Sequence, residues 1–247
     1  MDSPNSSTKN GANNDAHLQA LYPFLTESKV DHVDMNVALL NSVEQKMQQH
    51  QNVIHAFFEK NTQKVVDCAK AIADMYKQEG QLFTMGNGGS SSDASHIAVE
   101  FLHPVTTGRP ALPAYDLSCD KTVMTAIAND VGYQHVYARQ VANLLKRKDA
   151  LIGISTSGNS DNLLRAFAQA KKIGAITIGL AGGNGGEMAK SGLDHCLIVE
   201  SDSIHRTQEC HVAIYHVLWD LVHTLLASER GGLNKNNPKM KLSGGDE

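Results

Sequence analysis

Apolar positions recur at three- and four-residue steps through about 33–80. Val37, Leu40, Val43 and Met47 form one such series, and Val65, Ala69, Ile72 and Met75 a second. The spacing predicts two amphipathic helices, with Asn61 as N-cap of the second and Gly80 as its stop. From residue 81 the rhythm changes. Short, nearly continuous apolar runs at 81–85, 150–154, 175–180 and 195–199 lead into GNGGSSS, STSGNS, AGGNGGEMA and ESDSIHR respectively. Helical stretches such as 161–172 lie between them, and a long helix over about 206–227 closes the pattern. Buried-looking strands alternating with helices predict an α/β domain whose parallel sheet is covered on both faces.

The ends of the chain break from this pattern. Residues 1–16 and 229–247 are rich in Asn, Ser, Gly and Lys and poor in apolar side chains, so they bury too little to offset their ordering entropy. The expected organisation is a loose tail over 1–30, N-terminal helices over 31–80 that pack on the core or form an oligomer, the main domain over 81–228, and a second loose tail over 229–247.

With 41% hydrophobic residues in 247, the chain has enough apolar material for a substantial core. A formal charge of −4 argues against a nucleic-acid or anionic-membrane surface. No run approaches ~18 apolar residues and the N-terminus has no apolar signal core, so a cytoplasmic protein is expected. The four cysteines, Cys68, Cys119, Cys196 and Cys210, have neither CxxC nor zinc-finger spacing and read as small buried hydrophobes.

Candidate chemistry gathers where ligands bind in open parallel sheets, beyond the carboxyl ends of the strands. In Gly86-Asn87-Gly88-Gly89-Ser90 the missing side chains let backbone N–H groups approach an anion, and the following helix points its positive end there. In Ser155-Thr156-Ser157-Gly158-Asn159-Ser160, four hydroxyls surround a glycine and suit a phosphate monoester. Neither turn is a GxxxxGK[ST] loop or a GxGxxG fingerprint, which points to a phosphorylated small molecule rather than a nucleotide. His96 and Glu100, four apart on the next helix, could be a surface pair, a metal pair, or an acid and base facing a bound substrate. The last helix carries Gln208, His211, His216 and His223. Gln208 and His216 stand about 12 Å apart along a helix axis, too far for one ion to take both easily unless a second subunit contributes.

Taken in order, GNGGS, His96 and Glu100, Asn129-Asp130, STSGNS and the RxQExH…H of the last helix resemble the sugar isomerase (SIS) domain family. Within it they are most similar to the sedoheptulose-7-phosphate (phosphoheptose) isomerases, over about 35–228. The resemblance implies a three-layer, flavodoxin-like sandwich with a five-stranded parallel sheet. It further implies a homotetramer with active sites at subunit interfaces and one zinc ion per site. Substrate contacts would fall on Asn87, Gly88, Gly89, Ser90, Glu100, Asn129, Asp130, Ser155, Thr156, Ser157, Ser160 and Gln208. The zinc ligands would be His96, Glu100, Gln208 and His216, with Glu100 and His216 also doing the acid–base work. Two positions depart from the family pattern: Pro104 stands where an arginine is usual, with Arg109 as a candidate substitute, and His205 stands where an aspartate is usual. The competing expectation is a non-catalytic SIS protein that binds a sugar phosphate, of the DnaA-associating kind, although such relatives lose the acid–base residues retained here. A transcriptional regulator would need a basic recognition helix, which the first ~80 residues lack.

Overall fold

The computed structural model describes residues 35–106 and 108–229. Of the two expected tails, 1–30 and 230–247 lie outside the described residues, as does Val33; Glu229 closes the last helix. The chain divides into two compact units, with the boundary between Lys46 and Met47. The described part of the first is a helical stretch whose Met35, Val37, Leu39, Leu40 and Val43 are exposed.

The expected pair of N-terminal helices is a single one, α1 (Met35–Lys77). No proline or glycine interrupts 35–77, and Asn61 does not cap a helix: its Nδ2 donates to the Phe57 carbonyl one turn back, 3.0 Å away. The stop is displaced too. Glu79 takes the left-handed conformation (φ 59°), and the Gly80 N–H reaches back 3.0 Å to the Met75 carbonyl in a Schellman-type closure.

The second unit then alternates strand and helix: β1 (Leu82–Gly86), α2 (Gly89–Leu102), β2 (Ala114–Asp116), α3 (Lys121–Val131), α4 (Val136–Leu144), β3 (Ala150–Ser155), α5 (Asp161–Ile173), β4 (Ile176–Gly182), β5 (His195–Val199) and α6 (Ile204–Glu229). All strand pairs are parallel, in the order β2-β1-β3-β4-β5. Alternate residues of each strand face opposite layers. Leu82, Ala150, Ile152 and Ile154 join a core with α1, α2 and α6, among them Ile72, Ile97 and Ile214. Phe83, Met85 and Leu151 join the other core, with Val141 of α4 and Phe167 of α5. The result is the expected three-layer α/β sandwich. Of the five strands, β2 has no apolar run to announce it, because it is a three-residue edge of sequence Ala-Tyr-Asp.

In this strand order the crossovers leave β1 and β3 in opposite directions, so a crevice opens between their carboxyl ends. Gly86 pairs with Ile154, which sets the two Gly/Ser turns side by side over that switch point. Helix α6 (Ile204–Glu229) includes a stretch, Ile204–Ala227, long and apolar enough to cross a membrane; its Cys210, Ile214, Leu218 and Val222 lie in the sheet's core.

Candidate active site

The first turn begins where β1 ends. Gly88 enters α2 with φ 57°, and the Ser91 hydroxyl closes the turn by donating to the Gly88 carbonyl at 2.7 Å. The amino end of α2, with its positive dipole, therefore faces the crevice. The Tyr137 hydroxyl donates to the Gly86 carbonyl and pins the turn from α4. In the second turn the Ser155 and Ser160 hydroxyl oxygens lie 2.9 Å apart, and Ser157 Oγ lies 3.5 Å from Ser155. Three of the four expected hydroxyls thus converge, and Thr156 sits beside them in the loop, half-buried. Such a cluster of rotatable O–H groups can turn its protons toward one anion.

The two turns are tied together and braced. Asn87 and Asn162, the second residue of α5, exchange two amide hydrogen bonds of 2.9 Å each. Tyr133 donates to Asn87 Oδ1 at 3.0 Å, which brings the end of α3 to the first turn. The exposed Asn129 and Asp130, bonded to each other at 3.0 Å, lie in that last stretch of α3. The AGGNGG segment after β4 backs the second turn. Gly158 is left-handed (φ 67°), and a Cβ there would stand 2.0 Å from the Gly185 carbonyl oxygen, so backbone packs directly on backbone. Glu187 N–H donates to Asn159 Oδ1 (2.9 Å) and Met188 N–H to the Gly158 carbonyl (2.9 Å). Asn162, Tyr133 and the AGGNGG brace escape sequence reasoning. An asparagine in a first helical turn looks like ordinary helix-start polarity, whereas the two neighbouring glycine-rich turns were at least a visible signal for the brace.

Helices α2 and α6 run side by side with a constant offset. Gly89 lies against Gln208, where a Cβ on the glycine would be 2.4 Å from the amide nitrogen. His96 meets Tyr215, and Trp219 Nε1 donates to the Glu100 carbonyl at 2.8 Å. His96, Glu100 and His216 therefore gather on one side, their potential ligand atoms all within 4.8 Å of one another. The His96 Nε2–H donates to Glu100 Oε1 at 3.1 Å, and Tyr215 donates its hydroxyl to His96 Nδ1 at 2.8 Å. Burial first, then Asp93 and Glu100, push the Tyr215 phenol well above its ordinary range, so it stays a proton donor. Burial also raises the Asp93 carboxyl, against a smaller lowering by His96, and Asp93 Oδ2 is enclosed without a hydrogen-bond partner.

Two imidazoles and a carboxylate at this spacing are the donor types that a catalytic zinc ion takes, so His96, Glu100 and His216 could hold one. Gln208 stands elsewhere, at the phosphate turn, about 12 Å up the α6 axis from His216. Within this chain Arg109, the candidate substitute for the arginine missing at Pro104, stands apart from the two turns. Its guanidinium pairs with Asp220 at 2.6 Å and lies over Trp219, 5.2 Å from the ring centre, one turn beyond His216 and away from the turns. His205 is exposed in the first turn of α6. Cys68 and Cys210 are buried as expected, Cys196 is half-buried, and Cys119 is exposed; burial and the adjacent Asp116 raise the Cys119 thiol pKa, making it a poor nucleophile.

Comparison with known proteins bears on this arrangement. The SIS domain model matches residues 47–182. The phosphoheptose isomerase of Sulfurimonas denitrificans is 39% identical over 180 residues, covering 73% of this chain and 88% of that protein. The phosphoheptose isomerase of Helicobacter pylori is 46% identical over 165 residues, covering 67% and 82% respectively. Among solved structures, a phosphoheptose isomerase from Francisella tularensis superposes with a TM-score of 0.72 at 31% identity, covering 75% of this chain and 98% of that one. With paired turns over the sheet's switch point and a His–Glu–His cluster along α2 and α6, this chain belongs to the SIS-domain family, among the phosphoheptose isomerases.

Proposed function

We propose that this protein interconverts sedoheptulose 7-phosphate and the aldose D-glycero-D-manno-heptose 7-phosphate, in the cytoplasm, through an enediol. The observation that carries the reading is the meeting of His96 and Glu100, on the helix that descends from the first phosphate turn, with His216 on the neighbouring α6. A phosphate monoester would be held by the hydroxyls of Ser155, Thr156, Ser157 and Ser160 and by backbone N–H groups of 88–90 at the start of α2. Asn87, Asn129, Asp130 and Gln208 would bond the sugar hydroxyls, as the family resemblance implies.

Ketose-to-aldose conversion moves a proton between adjacent carbons. One of Glu100 and His216 takes the proton from C1 while the other delivers one to the C2 carbonyl oxygen, giving the enediol. Loss of the O1 proton and return of a proton to C2 complete the aldose. Holding the substrate by its phosphate makes these transfers effectively intramolecular. His96, Glu100 and His216 would hold zinc, which would stabilise negative charge developing on the substrate oxygens. To bind through Nε2, His96 would shift its ring proton to Nδ1, where the Tyr215 oxygen can accept it.

Ser90 and His96 are about 9 Å apart along α2, and Gln208 and His216 about 12 Å along α6. This separation supports a site completed across a subunit boundary in a homotetramer, with Gln208 joining the cluster of a neighbouring protomer. The exposed apolar residues of 35–43 supply surface for such an assembly. Retention of Glu100 and His216 disfavours a non-catalytic binder. Incubation with sedoheptulose 7-phosphate and product analysis by NMR tests the reading: an aldose 7-phosphate should accumulate, and binding without turnover would overturn it.

A further inference from the structure

We infer that Asn162 and Tyr133 are positioning residues that hold the Asn87 carboxamide with one fixed polarity, as a hydrogen-bond donor toward the ligand. The inference rests on the phosphate-turn reading and deepens it. An asparagine side chain can present either its oxygen or its nitrogen, so its orientation must come from its partners. Here the chain of partners starts at a group that cannot be reversed. The Leu163 backbone N–H lies 3.1 Å from Asn162 Oδ1, as well as 3.0 Å from the Ser160 carbonyl, and a backbone N–H can only donate. Asn162 Oδ1 is thereby fixed as the acceptor end, and its amide nitrogen must face Asn87.

Reciprocity does the rest. Asn162 Nδ2 donates to Asn87 Oδ1, and Asn87 Nδ2 donates to Asn162 Oδ1, both at 2.9 Å. The Tyr133 hydroxyl adds a second donor to Asn87 Oδ1 at 3.0 Å. The Asn87 oxygen therefore has both its lone pairs engaged, while its nitrogen keeps one hydrogen unspent. Whatever lies over the first turn meets a donor, which suits a phosphate or hydroxyl oxygen. Asn162 is buried at 4% exposure, so its bonds are shielded from competing water. The same pair joins the turns of β1 and β3, so their spacing and the polarity of Asn87 are set together.

The test uses the full-length protein with Asn162→Ala and Tyr133→Phe. In Asn162→Ala the dissociation constant and KM for sedoheptulose 7-phosphate should rise about tenfold or more, with kcat changed less than about threefold. Tyr133→Phe should give a smaller rise of the same kind. In the ligand-free wild type, NMR should show one slowly exchanging side-chain amide proton of Asn87, the one bonded to Asn162 Oδ1, and Asn162→Ala should abolish that protection. Unchanged affinity in Asn162→Ala, or a lowered melting temperature with KM intact, would overturn the inference, as would fast exchange of both Asn87 amide protons in the wild type. A wild type that shows the protected amide but neither binds nor converts the sugar phosphate would sink the isomerase reading while leaving the fixed donor standing.

Discussion

His211 sits wholly enclosed in α6, and its Nε2–H donates to the Ala181 carbonyl at the end of β4, 3.1 Å away. Burial outweighs this bond and drops its pKa from 6.5 to about 4. Between those values the unfolded chain binds a proton that the folded chain refuses. Stability from this group is therefore complete above about pH 6.5 and falls as the pH drops toward 4, by ~3 kcal/mol at most. Urea unfolding at pH 7.5 and pH 5 should show this loss, and His211→Gln should flatten the difference; an equal slope in both proteins would contradict the assignment. His211 shows where a sequence stops being informative. By residue type and spacing alone Gln208, His211, His216 and His223 of α6 look equivalent; the family resemblance singles out Gln208 and His216, and burial then separates the core imidazole of His211 from His216, which meets His96 and Glu100. Arg109 carries the same lesson: its charge was visible, but its pairing with Asp220 and its place over Trp219, both on α6, depend on tertiary packing that no local pattern announces.

At the scale of elements, the repeating strand–turn–helix rhythm was legible because fully buried parallel strands must be apolar along their whole length. The runs at 150–154 and 195–199 match β3 and β5 to within a residue. Element ends and breaks were less legible. The apparent junction at Asn61 was an asparagine that bonds its own helix, and α1 runs through it. The close backing of the second turn by AGGNGG yields a sharp expectation. Gly158→Ala would put a methyl 2.0 Å from the Gly185 oxygen in a left-handed conformation, so the turn must shift. Stability should fall by about 1–3 kcal/mol, and the affinity for sedoheptulose 7-phosphate should fall with it. Calorimetry showing wild-type affinity in this variant would mean the brace does not shape the phosphate site.

For the molecule as a whole, the core that α2 and α6 share with α1 on one face of the sheet fixes those two helices side by side, and that alignment assembles the His–Glu–His cluster. The exposed Leu40 and Val43 allow a test of the proposed assembly: Leu40→Glu with Val43→Glu should shift the protein to smaller species in sedimentation velocity, and an unchanged size would contradict their part in it. Chelation should lower activity and added zinc restore it; turnover indifferent to both would remove the metal from the account. The central claim is that Glu100 and His216 shuttle the proton between C1 and C2. Its most direct test is turnover of sedoheptulose 7-phosphate in D₂O, followed by NMR. The wild type should form an aldose carrying deuterium at C2, and Glu100→Gln and His216→Gln should each lower the rate by at least ~10²-fold. Near-wild-type deuterium incorporation in both variants would contradict it.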